Sequence, residues 1–376
     1  MSAWFTASAV APELRARWDL SAGQVGWLTT VVQLGFVAGT AAAAVLNLAD
    51  LVPARRYFAV SALLAAAANA ALLVVPDYGA ALVGRFLTGF FLAGVYPPGM
   101  KMVATWFRSA RGLAIGTVVG AVTVGKSAPY LFKALGGAGT GAVVLGASAA
   151  GLVASLLVLL GYREGPHAFA RRSFSWGLVA RILRHRETRL ATGGYLGHMW
   201  ELYGGWLLAA PYFLAFFQRR GHPDAELLSS LWGFLVIAAG GVGAVVAGRW
   251  ADEWGRERVA NGAMMISGGC SLTLGWLLDA PAWLVGGVAL LWGVTIVADS
   301  AQFSAVVTEV APSHAVGTAL TLQTMLGFAL TGVSMQLAVQ LVETVGWGAA
   351  MSMLALGPVA GIASMRRLRA VRRRET

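Results

Sequence analysis

Charge and cysteine are both scarce in this chain of 376 residues. Charged side chains make up 12% of it against 57% hydrophobic ones, and the mean hydropathy is +0.68. A soluble globule of this length would have too little polar surface, so that class is excluded. A lone cysteine, Cys270, rules out an intrachain disulfide and a cysteine-based metal cluster. Lysine is nearly missing too: among 28 Lys and Arg residues only Lys101, Lys126 and Lys133 are lysines. No metal-ligand spacing and no nucleophile–base arrangement stands out, so no metal, no cofactor and no enzyme is expected. The first residues also lack the charged region and cleavage site of a signal peptide.

What is present is a series of apolar runs, each near the roughly 20 residues that cross about 30 Å of hydrocarbon. Spans 2 to 6 are expected at 24–49, 57–75, 80–103, 112–135 and 141–161. Spans 7 to 12 are expected at 191–217, 227–248, 259–278, 282–307, 316–341 and 347–365. Met1 to Leu14 holds only about half a span before Arg15 and Arg17. The expectation is that the first span is truncated, with the functional start upstream, or that it is short. The longest polar stretch separates six spans from six, giving an N-terminal bundle at 1–161, a basic linker at 162–190, a C-terminal bundle at 191–365 and a basic tail at 366–376.

Arginines sort the loops into two sets. Arg55, Arg56, Arg108, Arg111, the arginine-rich linker, Arg249, Arg256, Arg258 and the tail fall on one side, while Arg15, Arg17, Arg219 and Arg220 fall on the other. The positive-inside rule puts the first set, with the C-terminus, in the cytoplasm of a multi-pass protein of the cell (inner) membrane. The net charge of +11 is then mostly topological, and nucleic acid is not an expected partner. Membrane lipid is, since the tail faces an anionic surface.

The chain also looks written twice. GRWADEWGR (Gly248 to Arg256) has a degraded echo about 200 residues earlier, LNLADLVPARR (Leu46 to Arg56), with Ala49-Asp50 matching Ala251-Asp252. A carboxylate at a helix C-terminus meets unpaired carbonyls and the negative end of the macrodipole, so a basic group must answer it. A solvated turn explains one copy alone; two copies in register argue for a shared role.

Two sets of six spans, a central basic loop, and Gly248, Asp252, Gly255 and Arg256 in G-x-x-x-D-x-x-G-R spacing resemble the major facilitator superfamily of secondary transporters. In the first half Leu46 and Pro53 replace the glycines, Asp50 is kept and the basic pair is displaced to Arg55 and Arg56. Arg85 and Gly89 look like the family's fourth-helix motif. Its antiporter signature is only loosely approached by Gly116, Gly120, Gly125 and Pro129. GVYPPGMKMVATWF and HMWELYGGW look like a bacterial branch that includes cyanate-type transporters. The resemblance implies an all-α polytopic membrane protein of twelve transmembrane helices in two pseudosymmetric six-helix bundles, with helices 1, 4, 7 and 10 lining a central cavity and the aspartate motifs latching the cytoplasmic side. Buried charge fits that plan: Arg85 is on span 4, Lys126 and Lys133 on span 5, His198 and Glu201 on span 7, Asp299 on span 10. Charges inside a bilayer normally face a cavity or a partner.

GAVTVGKS, Gly120 to Ser127, satisfies the phosphate-loop pattern, yet that loop works only where a strand delivers it to a helix N-terminus. Inside a spanning helix, Gly112, Gly116 and Gly120 read instead as a close-packing face. Lys126 is a candidate anion anchor or switch, since burial strips a proton from an ammonium more readily than from a guanidinium; its alternative is a fixed partner for Glu201 or Asp299. Lys133 is expected to snorkel outward and Lys101 inward. His198 and Glu201, three apart, share a face and can exchange a hydrogen bond. At mid-membrane Glu201 is a candidate proton carrier, or half of a structural polar pair. Asp299 is a gate partner or a cavity wall. Tyr130, Trp200 and Tyr203 are aromatic cavity candidates, with helix packing as the alternative.

The expected function is secondary active transport of a small, anionic solute by alternating access, coupled to protons, in a monomer. The alternatives are a proton-driven exporter of drug-like compounds and a non-transporting membrane receptor or scaffold.

Overall fold

The computed structural model describes residues 1–107, 111–135, 139–167, 176–312 and 315–375. Among them every regular element is helical: α1 Thr6–Ala9, α2 Ala11–Trp18, α3 Ala22–Val45, α4 Leu48–Leu51, α5 Ala54–Ala70, α6 Tyr78–Leu92, α7 Tyr96–Ala104, α8 Arg111–Leu135, α9 Thr140–Gly161, α10 Trp176–Arg184, α11 Arg186–Arg219, α12 Ala225–Trp254, α13 Arg256–Leu274, α14 Ala282–Ala298, α15 Ser300–Val310, α16 Val316–Thr344, α17 Trp347–Leu354 and α18 Leu356–Glu375. Among the described residues eight stretches are long and apolar enough to cross a membrane. At 25, 34 and 19 residues, α8, α11 and α13 have the length, and they carry a polar set inward: Lys126 and Lys133, His198 and Glu201, Ser267 and Ser271.

Local chemistry sets the ends. Ser21 and Gln24 cap α3 reciprocally, the Gln24 amide donating to Ser21 Oγ (3.2 Å) and the Ser21 amide to Gln24 Oε1 (2.8 Å), the two-way cap that satisfies orphan amides. Gly221, Gly255 and Gly346 take positive φ at helix ends, where a side chain would be strained. Three expected spans are broken well inside their ends. Span 4 divides into α6 and α7 ahead of Pro97 and Pro98, and span 12 into α17 and α18 ahead of Pro358, since proline cannot donate to the preceding turn. Span 10 breaks at Asp299, where no proline stands. The basic tail continues the last helix: α18 runs through Met365 to Glu375, because arginine is a good helix former and needs no apolar neighbours to continue one.

The first residues pack deep, with Trp4, Phe5 and Val10 fully buried. Packing repeats along the chain in a way that supports the twofold reading. A Cβ on Gly89 of α6 would overlap the Val32 carbonyl of α3, and one on Gly293 of α14 would overlap the Val236 carbonyl of α12. Val32 and Val236 are separated by as many residues as Gly89 and Gly293, so the same close backbone crossing occurs in both halves. A third small-residue crossing joins the halves: Gly116 and Gly120 of α8 lie against Ala244, Gly248 and Gly241 of α12. The phosphate-loop lookalike is therefore part of an uninterrupted helix. On the outside, α9 exposes Leu145, Leu152, Val153, Leu156, Leu157 and Leu160, an apolar face that only lipid or another chain would cover.

Candidate solute and proton sites

Lys126 is buried on α8, and its Nζ donates to the hydroxyl of Tyr203 on α11. The ammonium sits 4.4 Å from the ring centroid of Trp4, 4.6 Å from Tyr203, 5.2 Å from Trp206 and 5.9 Å from Phe328. Ring faces attract a cation at these distances. The rings pack on one another, Trp4 with Phe36 and Phe328, Tyr203 with Trp206 and Phe328, so α1's approach, α8, α11 and α16 are stitched together around one nitrogen. No carboxylate pairs with Lys126 among the described residues. The expected fixed partnership with Glu201 or Asp299 is thus corrected, because both acids are turned elsewhere.

Glu201 Oε2 accepts from Ser267 Oγ (2.8 Å), and Oε1 accepts from Ser271 Oγ (2.6 Å) and Trp292 Nε1 (3.1 Å). All three donors belong to α13 and α14. His198 does not bond Glu201 as the spacing suggests. Its Nδ1 lies 2.8 Å from Asp299 Oδ1, and its Nε2 has no partner among the described residues. Residues three apart on a helix differ by about 60° in direction, and here that angle sends His198 to the α14–α15 break and Glu201 to α13. The second half therefore holds two separate buried acids, each already supplied with neighbours.

Arg85 is also spoken for. Its Nε donates to the Leu28 carbonyl (3.2 Å), Nη1 to the Ala3 carbonyl (2.9 Å) and Asn69 Oδ1 (2.9 Å), and Nη2 to the Trp4 carbonyl (2.5 Å). It reaches the cage only through the backbone of Trp4. Trp200 is another correction among the aromatic candidates: its Nε1 donates to the Met353 carbonyl of α17 at 3.1 Å, within the second half and away from Lys126. Lys133 does not snorkel; it is buried and pairs with Glu13 at 2.8 Å.

A cavity of about 440 Å³ opens between the halves at the arginine-poor end, lined among others by Tyr130, Lys133, Leu207, Pro211, Ser230 and Val339. Tyr130 is one turn along α8 from Lys126, about 6 Å, and Leu207 follows Trp206 directly. Trp4, Lys126, Tyr203, Trp206 and Phe328 do not themselves line this cavity. At the arginine-rich end α8 and α12 meet on their glycines.

At that end Gly255 takes φ +87° between α12 and α13, and the turn swings Arg256 across to Glu309 on α15, with Nε and Oε1 2.9 Å apart. Asp252 is 3.9 Å from Arg256, and Arg372 bridges Glu257 (3.4 Å) and Glu309 (3.9 Å). Gly248 lies beside Gly116 of α8, one turn from the Ala244 carbonyl where the two helices approach most closely. In the first-half echo the left-handed residue is Asn47, because Pro53 cannot take the role of Gly255. Arg55 and Arg56 are exposed, and the Asp50 side chain lies outside the described residues.

Twofold helical packing, a cavity between the halves and a charged turn at the opposite end are the outline of a transporter. The sequence matches the family description Major Facilitator Superfamily over residues 1–335. The chain belongs to that superfamily. No curated protein matches it. Among solved structures, the chain is similar to a bacterial homologue of the human lysosomal transporter Spinster in an inward-facing, unoccupied conformation, with a TM-score of 0.66, 14% identity, and 98% of this chain and 92% of that one covered. It is also similar to the human organic anion transporter MFSD10 (TETRAN), with a TM-score of 0.64, 15% identity and coverages of 91% and 83%. These likenesses show the fold. The protein is a membrane-embedded transporter of a small-molecule solute and not an enzyme.

Sequence reasoning passed over Trp4, Phe328, Ser267, Ser271, Trp292 and Glu309. Ser267 and Ser271, four apart on one helix face, carried a usable signal. Trp4 carried none, being in a segment too short to show periodicity.

Proposed function

We propose that the protein moves a small anionic solute across the cell membrane by alternating access, coupled to protons. The observation that supports this most is the Lys126 ammonium, buried among Trp4, Tyr203, Trp206 and Phe328 with no acid partner among the described residues. A buried cation without a counter-charge is costly, and an anion arriving from the cavity supplies one. Glu201 is the proton carrier in this reading and Asp299 the second candidate, both apart from the solute. The bundles at 1–161 and 191–365 rock about the Lys126 site, with the linker and the basic end of α18, from 366 on, in the cytoplasm, and the unit is a monomer. The GVYPPGMKMVATWF and HMWELYGGW runs favour the branch with cyanate-type transporters, hence a small anion. The apolar walls of the cavity favour a second reading, a proton-driven exporter of drug-like compounds. Proteoliposomes with an imposed pH gradient, screened against small anions and against apolar cations, separate the two. Uptake of an anion that requires Lys126 supports the first reading, and Lys126-independent movement of apolar cations supports the second.

A further inference from the structure

The basic end of α18 has two faces with opposite circumstances. On one, Arg372 meets Glu257 and Glu309, so the protein supplies its own counter-charges. On the other, Arg367 joins Arg186 and Arg189, from the first turn of α11, around a cavity of about 390 Å³ that Leu190, Ala370 and Val371 complete. These three arginines are exposed and have no acid partner among the described residues; Glu187, the acid between two of them in sequence, does not line the cavity. Three guanidiniums converging without a carboxylate repel one another unless an anion joins them. A guanidinium fork suits the oxygens of a phosphate.

Its level in the membrane narrows the choice of anion. One turn before Arg367, Ser364 Oγ donates to the Leu190 carbonyl at 2.8 Å, which fixes α18 against α11 where the apolar span ends. Immediately ahead of α11, α10 buries Ile182 and exposes Arg181, Leu183 and Arg184, the amphipathic pattern of a helix lying at a membrane surface. The cavity thus has arginines at headgroup depth and apolar walls beside them. We propose that Arg186, Arg189 and Arg367 form a binding site for the phosphate headgroup of an anionic phospholipid of the adjacent leaflet. The lipid would tie the start of α11 to α18 and so brace the second half. The inference is independent of which solute is moved.

The test uses the full chain in detergent with equimolar phosphatidylglycerol and phosphatidylcholine, and native mass spectrometry to count retained lipid. The unmodified protein should retain phosphatidylglycerol in preference. The variant R186Q/R189Q/R367Q should hold it at least about tenfold more weakly, given the attraction of each arginine for an anionic headgroup, and the single variants R186Q and R367Q should fall between. R366Q, which alters an exposed arginine outside this cavity, should retain the preference. Equal retention of the two lipids by the unmodified protein, or equal phosphatidylglycerol loading of the triple variant, overturns the proposal. Displacement of the lipid by inorganic phosphate at equal concentration also overturns it, since the cavity is then a free-anion site.

Discussion

The Lys126 ammonium on α8 donates to the Tyr203 hydroxyl on α11 with aromatic rings on its other sides. This bond couples helices from the two halves of the chain. Helix α11 therefore faces two ways: Tyr203 toward the first half, and Glu201, two residues earlier, toward α13 and α14. In the proposed reading, solute and proton are handled on opposite sides of one helix, which would carry a change at either to the other.

Lys126→Ala should weaken anion binding by roughly ten- to a hundredfold, the worth of one charge-assisted hydrogen bond of about 1.5–3 kcal/mol. No acid is left unpaired by this change, so the protein should stay folded, and the loss should fall on binding. Equilibrium binding of a radiolabelled anion to detergent-purified protein reads it. Unchanged affinity would remove Lys126 from the solute site.

Arg85→Gln should destabilise the fold before it affects transport. The guanidinium satisfies the carbonyls of Ala3, Trp4 and Leu28 together with Asn69, and a buried acceptor left bare costs about 1–3 kcal/mol. Arg85→Lys should rescue little, because one ammonium cannot span carbonyls held apart by a planar fork. Thermal unfolding followed by tryptophan fluorescence is the measurement, and an unchanged midpoint for Arg85→Gln would show that the N-terminal segment is held by other contacts.

The spans and the second-half motif were legible because hydropathy and the G-x-x-x-D-x-x-G-R spacing are local properties. Lys126 was legible for a different reason: in a chain that uses arginine almost throughout, a lysine in the middle of a span is conspicuous. Its surroundings were not. Trp4 and Phe328 reach the cage from segments far apart in sequence, and nothing in either neighbourhood marks them. Glu201 was found, but its partners depend on how α11 is rotated about its own axis, which periodicity does not fix when polar residues occupy several faces. Asp299 was placed mid-span, whereas the helix breaks there without proline or glycine to announce it.

Glu309→Gln should slow the conformational cycle more than Asp252→Asn does. Arg256 is 2.9 Å from Glu309 but 3.9 Å from Asp252, so the tighter link between elements is α13 to α15. Partly exposed pairs are worth only about 0.2–1 kcal/mol, so turnover should change severalfold and solute affinity little. Counterflow rates alongside equilibrium binding distinguish these. A larger defect in Asp252→Asn would return the latch to the motif aspartate.

Glu201→Gln should abolish pH-driven accumulation while sparing exchange of solute for solute. The amide oxygen can keep the hydrogen bonds from Ser271 and Trp292, and the amide nitrogen can donate to Ser267, whose hydroxyl also accepts, so the packing of α11 on α13 survives. What is lost is titration. In the proposed cycle a proton binds the carboxylate on the acidic side and leaves on the other, and each change of charge alters the balance between conformations. With glutamine there is a single charge state, and the cycle runs equally well in both directions whatever the gradient. Proteoliposomes loaded with the anion test both halves of this expectation: isotope exchange at equal pH should match the unmodified protein, and uptake driven by an acidic exterior should not exceed equilibrium. Accumulation equal to that of the unmodified protein would make Glu201 a structural tie between α11, α13 and α14, and leave Asp299 with His198 as the proton site.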